Sequence, residues 1–483
     1  IAKRPLNTTS SSSTNASSET MGSSGPSSMG TSSSAAPSSS APPAPHLDLV
    51  DVPAALTAGT CSPAVTVRLL DAQDQPQNTT SQLTVVLSAV PAAGFSFFSD
   101  DVCQNGVSAV AIAAGAGQTT FHLTGVVPVD VQVTASATGY GAANRLIPIT
   151  SGPPATLAFS GAGLSVAAGT CSGAVEVGLL DMLGNPTTAA ANVTVAVDAN
   201  PVTGFQVFAD ATCTTEVTSV VIGSGQGTTS LRFRGTVAGD VQLTISSPGL
   251  SPVTQIETIQ PTTASAIAFV SDPQSLAAGS CSAAVTVQTQ DRFGNAASVF
   301  TNRAIALSAA PSMSFSFFSD GLCQVAAPSV TVLAAASSAT FHLRGTRAGT
   351  VTITGTGTGL GTANQDTVIT ATAAARIRFA SMPLTLGAGV CSPDVQVVVE
   401  DIHGNAAPLG AASTLGLTAT PDTSFTFHSG ATCTAGVASV PLAQGSSGAV
   451  IRVRGANVGS VLMTADLPGI GAATQTAVIT SQQ

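Results

Sequence analysis

The chain contains no tryptophan, one tyrosine (Tyr140) and one lysine (Lys3), and only 8% of its 483 residues are charged. With a formal net charge of −10 it lacks the basic footprint of a nucleic-acid binder, so no nucleic-acid partner is expected. Aromatics make up 4%, few for the exposed rings on which sugars stack; a carbohydrate-binding module array is therefore only a second alternative. No apolar run approaches the roughly 18 to 20 residues of a spanning helix, so no transmembrane segment is expected. The sequence holds no G-x-S-x-G elbow, no H-E-x-x-H pair, no phosphate loop and no recurring Asp, His and Ser set. Neither an enzyme nor a cofactor is expected. The amino terminus, Ile1-Ala2-Lys3-Arg4-Pro5, has no starting Met and no apolar signal core, and reads as that of a processed or excised product.

What is present is a repeat. Cys61, Cys171, Cys281 and Cys391 are 110 residues apart, and Cys103, Cys213, Cys323 and Cys433 each follow their opener by 42. Those are all 8 cysteines. An even count in fixed register predicts one disulfide within each repeat and an oxidising, extracellular compartment. Zinc is the competing reading, but no pair has C-x-x-C spacing and the 5 histidines share no ligand spacing. A 110-residue period matches the commonest domain size and gives four domains. The expected divisions are a Ser/Thr/Pro-rich linker or tether at 1–45 and repeats at 46–152, 153–262, 263–372 and 373–483. The tether has too little apolar surface to offset its ordering entropy. It reads either as a spacer lifting the domains off a surface, its hydroxyls open to O-glycosylation, or as a linker from an upstream domain.

Superimposing the repeats exposes the strands. Leu47 and Leu49, matched by Ile267 and Phe269, alternate with the period of a half-buried strand. Gly59, Gly169, Gly279 and Gly389 stand two residues before each opening cysteine, which suggests a backbone angle or close approach that only glycine tolerates. After the cysteine, Val65, Val67 and Leu69, or Val395, Val397 and Val399, share its parity and face the core. The strand ends at Asp71, Asp181, Asp291 or Asp401. Gly-Asn follows in three cases (Gly184-Asn185, Gly294-Asn295, Gly404-Asn405), and the first repeat has Asp74-Gln75. Asp-x-x-Gly-Asn reads as a turn. The alternative is a calcium site using Asp71 with Asp100 or Asp130, although calcium wants six to eight oxygens and Gly430 replaces that Asp in the last repeat. The segment Phe95-x-Phe97-Phe98 and its copies read as core. The strand Phe121-His122-Leu123-Thr124 and its copies place Arg232, Arg234, Arg344, Arg452 and Arg454 on the outer face. That row is a possible interaction stripe for an acidic glycan or a neighbouring subunit, or else solubilising charge.

Seven or more short strands per repeat specify an all-β fold of four tandem Ig-like antiparallel sandwiches, arranged as a rod. The run Val-x-Val-x-x-x-Asp-x-x-Gly-Asn after a small-residue lead, with a closing Gly-x-x-x-Val-x-x-Thr-Ala or similar, resembles bacterial Ig-like domains of the invasin and intimin type. It is more similar still to the cysteine-bearing tandem repeats in large surface proteins of GC-rich, gliding soil bacteria. The resemblance covers residues 46–483 and implies a stalk, a structural or adhesive bacterial surface protein. The alternative is a subunit of a polymeric, pilus-like fibre. The expected partners are other surface or matrix components, or further copies of the chain.

Overall fold

The structure, a computed structural model, describes residues 44–481, so nearly all of the expected tether lies outside the described residues. Contacts divide the chain into two compact units. One takes in most of the first repeat, up to Ala54 with Cys61–Thr124 and Asp130–Ile147; the other takes in Ala55–Thr60, Gly125–Val129 and everything from Pro148. Among the described residues every regular element is a strand.

The third repeat shows the plan. Ala266–Phe269, Val285–Gln290, Ser338–Gly345 and Phe315–Phe318 form one antiparallel sheet in that order. In the second sheet Ser275–Ala277 runs parallel to Gly361–Thr370, followed by Gly349–Gly357, Arg303–Ala310 and Ser329–Val332. The first sheet is the four-stranded face of an Ig-like sandwich and the second its partner, extended at both edges. The fourth repeat copies the pattern from Arg376–Phe379 to Gly471–Thr480.

Alternation explains the core. Val285 and Val287 are buried, as are Phe341 and Leu343 across the sheet and Ile305 and Ile353 opposite. Thr289 takes the position that Leu69 and Val399 fill elsewhere; it is fully buried, and its hydroxyl donates to the Ala297 carbonyl at 2.6 Å. In the unit containing most of the first repeat, Val65, Val67 and Leu69 are buried in the same way, with Val65 opposite Phe121. The aromatic segment divides by parity. Phe317 packs edge-on against buried Phe341 with ring centroids 5.8 Å apart, whereas Phe318 points to the other face and lies under Arg344. Phe318 is buried as expected, at 6% exposure, but its cover is Arg344 on the opposite side of the strand from Phe317.

Candidate functional site: the joint between repeats

The Asp-x-x-Gly-Asn segment is a turn whose side chains reach the preceding repeat. At the end of Val285–Gln290, one Asp291 carboxylate oxygen accepts the Phe293 and Asn295 amides at 2.8 and 3.0 Å. The other accepts the Thr262 amide at 2.9 Å and the Asn295 side-chain amide at 3.0 Å. Gly294 closes the turn at φ +86, a backbone angle that costs glycine little. Thus fixed, Asn295 donates through Nδ2 to the Thr236 carbonyl at 2.8 Å, and its Oδ1 accepts the Ala238 amide at 2.8 Å. Thr236 and Ala238 lie in the hairpin between Thr228–Gly235 and Gly239–Ser247 of the second repeat.

The joint recurs. Asn405 donates to the Thr346 carbonyl at 2.8 Å and accepts from the Ala348 amide at 2.7 Å, while Asp401 holds the Thr372 amide at 3.0 Å. Asn185 likewise reaches the Val126 carbonyl at 3.0 Å, within the same unit, but Pro128 stands where Ala238 and Ala348 donate and has no N–H to give. Glycine completes the fit. Gly169 and Gly279 have φ of +76 and +82. A Cβ on Gly169 would lie 2.3 Å from the Phe293 ring, and one on Gly279 would lie 2.5 Å from His403 Nε2. Both reasons anticipated for these glycines operate, and the close approach comes from the next repeat.

Burial opposes charge at Asp181 and Asp401, but the amide donors of the turn and linker outweigh it and hold both near pKa 2. Asp291 is lowered by the same balance. Both oxygens of each carboxylate are filled by N–H donors. Among the described residues no group of three or more His, Cys, Asp or Glu side chains is placed to hold a metal ion.

The first repeat makes the turn without the joint residue. Asp71 accepts the Gln73 and Gln75 amides at 2.8 and 2.9 Å, and Asp74 takes positive φ (61) where the other repeats have glycine. Asn is therefore not needed to form the turn. It serves the contact with the repeat before it.

The cysteines pair as Cys61–Cys103, Cys171–Cys213, Cys281–Cys323 and Cys391–Cys433, each with 5.7 Å between Cα atoms. Beside each pair a serine repeats: the hydroxyls of Ser62, Ser172, Ser282 and Ser392 accept the amides of Leu123, Phe233, Leu343 and Val453. The loop around the closing cysteine is held by Asp320, which accepts the amides of Leu322, Gln324 and Val325; its pKa is lowered, chiefly by the Val325 amide.

The five arginines are each engaged within their own repeat. Arg232 donates to the Ser172 carbonyl at 2.7 Å, the role that His122 and His342 play toward Ser62 and Ser282. This common partner explains why His and Arg alternate there. Arg452 pairs with Asp394 at 2.9 Å. Arg234 and Arg344 lie 5.0 Å over the rings of Phe208 and Phe318. In the fourth repeat His428 replaces that phenylalanine, and Arg454 instead donates to the Gly389 carbonyl at 2.7 Å.

The chain is a tandem array of Ig-like β-sandwich repeats, each with its own internal disulfide, in which the third and fourth repeats are hydrogen-bonded to the repeat before them through a dedicated turn. No protein-family model and no curated protein matches it. Among solved structures it is similar to invasin, a bacterial integrin-binding protein, at 16% identity and TM-score 0.30 over 90% of this chain and 79% of that one. FdeC, an Escherichia coli adhesin, gives 16% identity and TM-score 0.30 over 68% and 98% of the two chains. Domains 4–9 of the surface-layer protein SbsC give 16% and 0.21 over 90% and 66%. At such scores function has to be argued from this chain's own joints and staples.

Proposed function

We propose that the chain is a non-enzymatic, extracellular structural or adhesive stalk at a bacterial surface, built from repeats bounded near residues 153, 263 and 373. The observation that carries this reading is the joint. Asn295 and Asn405 each make two hydrogen bonds to the preceding repeat, and the linker amides of Thr262 and Thr372 are held by the following Asp. Short linkers pinned in this way oppose bending between neighbours, as a projecting element requires. The disulfides supply the second requirement. Closing a 42-residue loop removes about 4 kcal/mol of unfolded-state freedom in the chain-entropy account, against a domain stability of about 5 to 15 kcal/mol. Such staples persist in an oxidising compartment and favour endurance there.

The fibre alternative gains nothing from this joint, because the turn of the first repeat ends in Gln75 instead of Asn. Electron microscopy of the purified chain tests the stalk: single extended particles are expected, and compact globules would overturn it.

A further inference from the structure

The face that receives the Asn turn is built from a glycine of positive φ, a carbonyl and an amide on the hairpin beside it. In the second repeat these are Gly169, Thr236 and Ala238; in the third, Gly279, Thr346 and Ala348. The fourth repeat carries the same three elements. Gly389 has φ +82, and a Cβ there would meet only Arg454 Nη2, at 3.9 Å. Ala456 and Val458 take the places of Thr346 and Ala348, and among the described residues neither a donor to the Ala456 carbonyl nor an acceptor for the Val458 amide is present. Val458 and Val390 beside it are 64% and 44% exposed. This face therefore has both the hydrogen-bonding groups used at the internal joints and apolar surface that docking would bury.

We propose that Gly389, Ala456 and Val458 form a docking face for the Asp-x-x-Gly-Asn turn of a further Ig-like repeat. Its partner is not the first repeat of a second copy, because Asp71-Ala72-Gln73-Asp74-Gln75 forms the turn but offers no Asn amide. The occupant follows from continuity with the interface used inside the chain: the same groups, in the same order, already hold Asn295 and Asn405. An untethered turn lacks the roughly millimolar effective concentration that a short linker supplies to the internal joints, so its association is sought at protein concentrations approaching that range.

Rebuilding the missing plug tests this on the full chain. Asp74→Gly with Gln75→Asn restores the motif in the first repeat, and glycine suits a position already at φ 61. Sedimentation equilibrium up to about 1 mM is expected to show the unaltered chain monomeric and the double variant associating head to tail. Two further changes to the double variant examine the receiving face. Gly389→Asn, which tolerates positive φ, should weaken association at least about tenfold by blocking the approach. Val458→Pro removes the amide while copying Pro128, which the first repeat already accommodates, and should weaken it by about threefold or more. The proposal is overturned if the double variant stays monomeric, if the unaltered chain associates equally well, or if neither change at the receiving face alters association. None of these results bears on whether single chains are extended.

Discussion

Asn405 is the most buried of the three joint asparagines, and replacing it with alanine tests the joint most directly. The change deletes three hydrogen bonds: Nδ2 to the Asp401 carboxylate at 2.8 Å, Nδ2 to the Thr346 carbonyl at 2.8 Å, and the Ala348 amide to Oδ1 at 2.7 Å. The first of these lies within the fourth repeat and survives opening of the joint; the two that cross it are neutral, at about 1 kcal/mol net each, so the opening equilibrium shifts by about 2 kcal/mol, or roughly 30-fold. The assay is hydrogen exchange at the Ala348 amide, whose acceptor is Asn405 Oδ1. Its exchange should accelerate by about 30-fold in Asn405→Ala, while the buried strand amides of Val395–Glu400 keep their protection. Gln75→Ala, at the matching place in the first repeat, is the internal control and should change stability by less than about 0.5 kcal/mol. Acceleration of less than about threefold at Ala348 would refute the claim that the Asn side chain holds the joint.

Four other outcomes follow from the geometry. Gly279→Ala and Gly389→Ala impose the same positive-φ strain, about 1 to 2 kcal/mol, but only the first drives a methyl into His403, so it should destabilise by a further 1 kcal/mol or more in chemical denaturation; equal costs would contradict the joint. Because Asp401 titrates near 2 in the folded chain, below its ordinary value, its stabilising effect is complete above about pH 4 and is lost as the pH falls toward 2. Asp401→Asn should flatten that acid limb in thermal unfolding, and an unchanged slope would rule the carboxylate out. Glu257 is fully buried, and desolvation raises its pKa despite bonds from Gln255 and the Leu164 amide. For a raised carboxyl the favourable contribution is present at low pH and lost as pH rises, so the second repeat should weaken from about pH 4 upward; Glu257→Gln should abolish the trend, and a flat wild-type profile would count against it. Replacing Cys281 and Cys323 together with serine should lower the unfolding free energy of the third repeat by about 4 kcal/mol; a change below about 1 kcal/mol would show that the packed sandwich needs no staple.

The parts of this molecule most legible in the sequence are those governed by local rules repeated four times. Alternation of Val285 and Val287, the turn after Asp291 and the angle at Gly279 each depend on a few neighbouring residues, so periodicity and residue type expose them. The joint is harder to see because its partners, Asn295 and Thr236, are 59 residues apart and belong to different repeats. Nothing in the turn's own chemistry distinguishes an Asn that finishes a turn from one that reaches outward. The distinguishing signal was nevertheless present as a difference between copies: the second, third and fourth repeats end the motif in Gly-Asn, and the first makes the same turn with Asp74-Gln75. A residue needed only for turn formation has no reason to vary where the turn itself is kept, whereas a residue that reaches beyond the turn can do so. The same reasoning gives Arg232 a local role. His and Arg replace each other at positions 122, 232 and 342 because each donates to one backbone carbonyl beside the opening cysteine, a requirement that either side chain meets. A contact that depended on the guanidinium fork would not allow that exchange at this position.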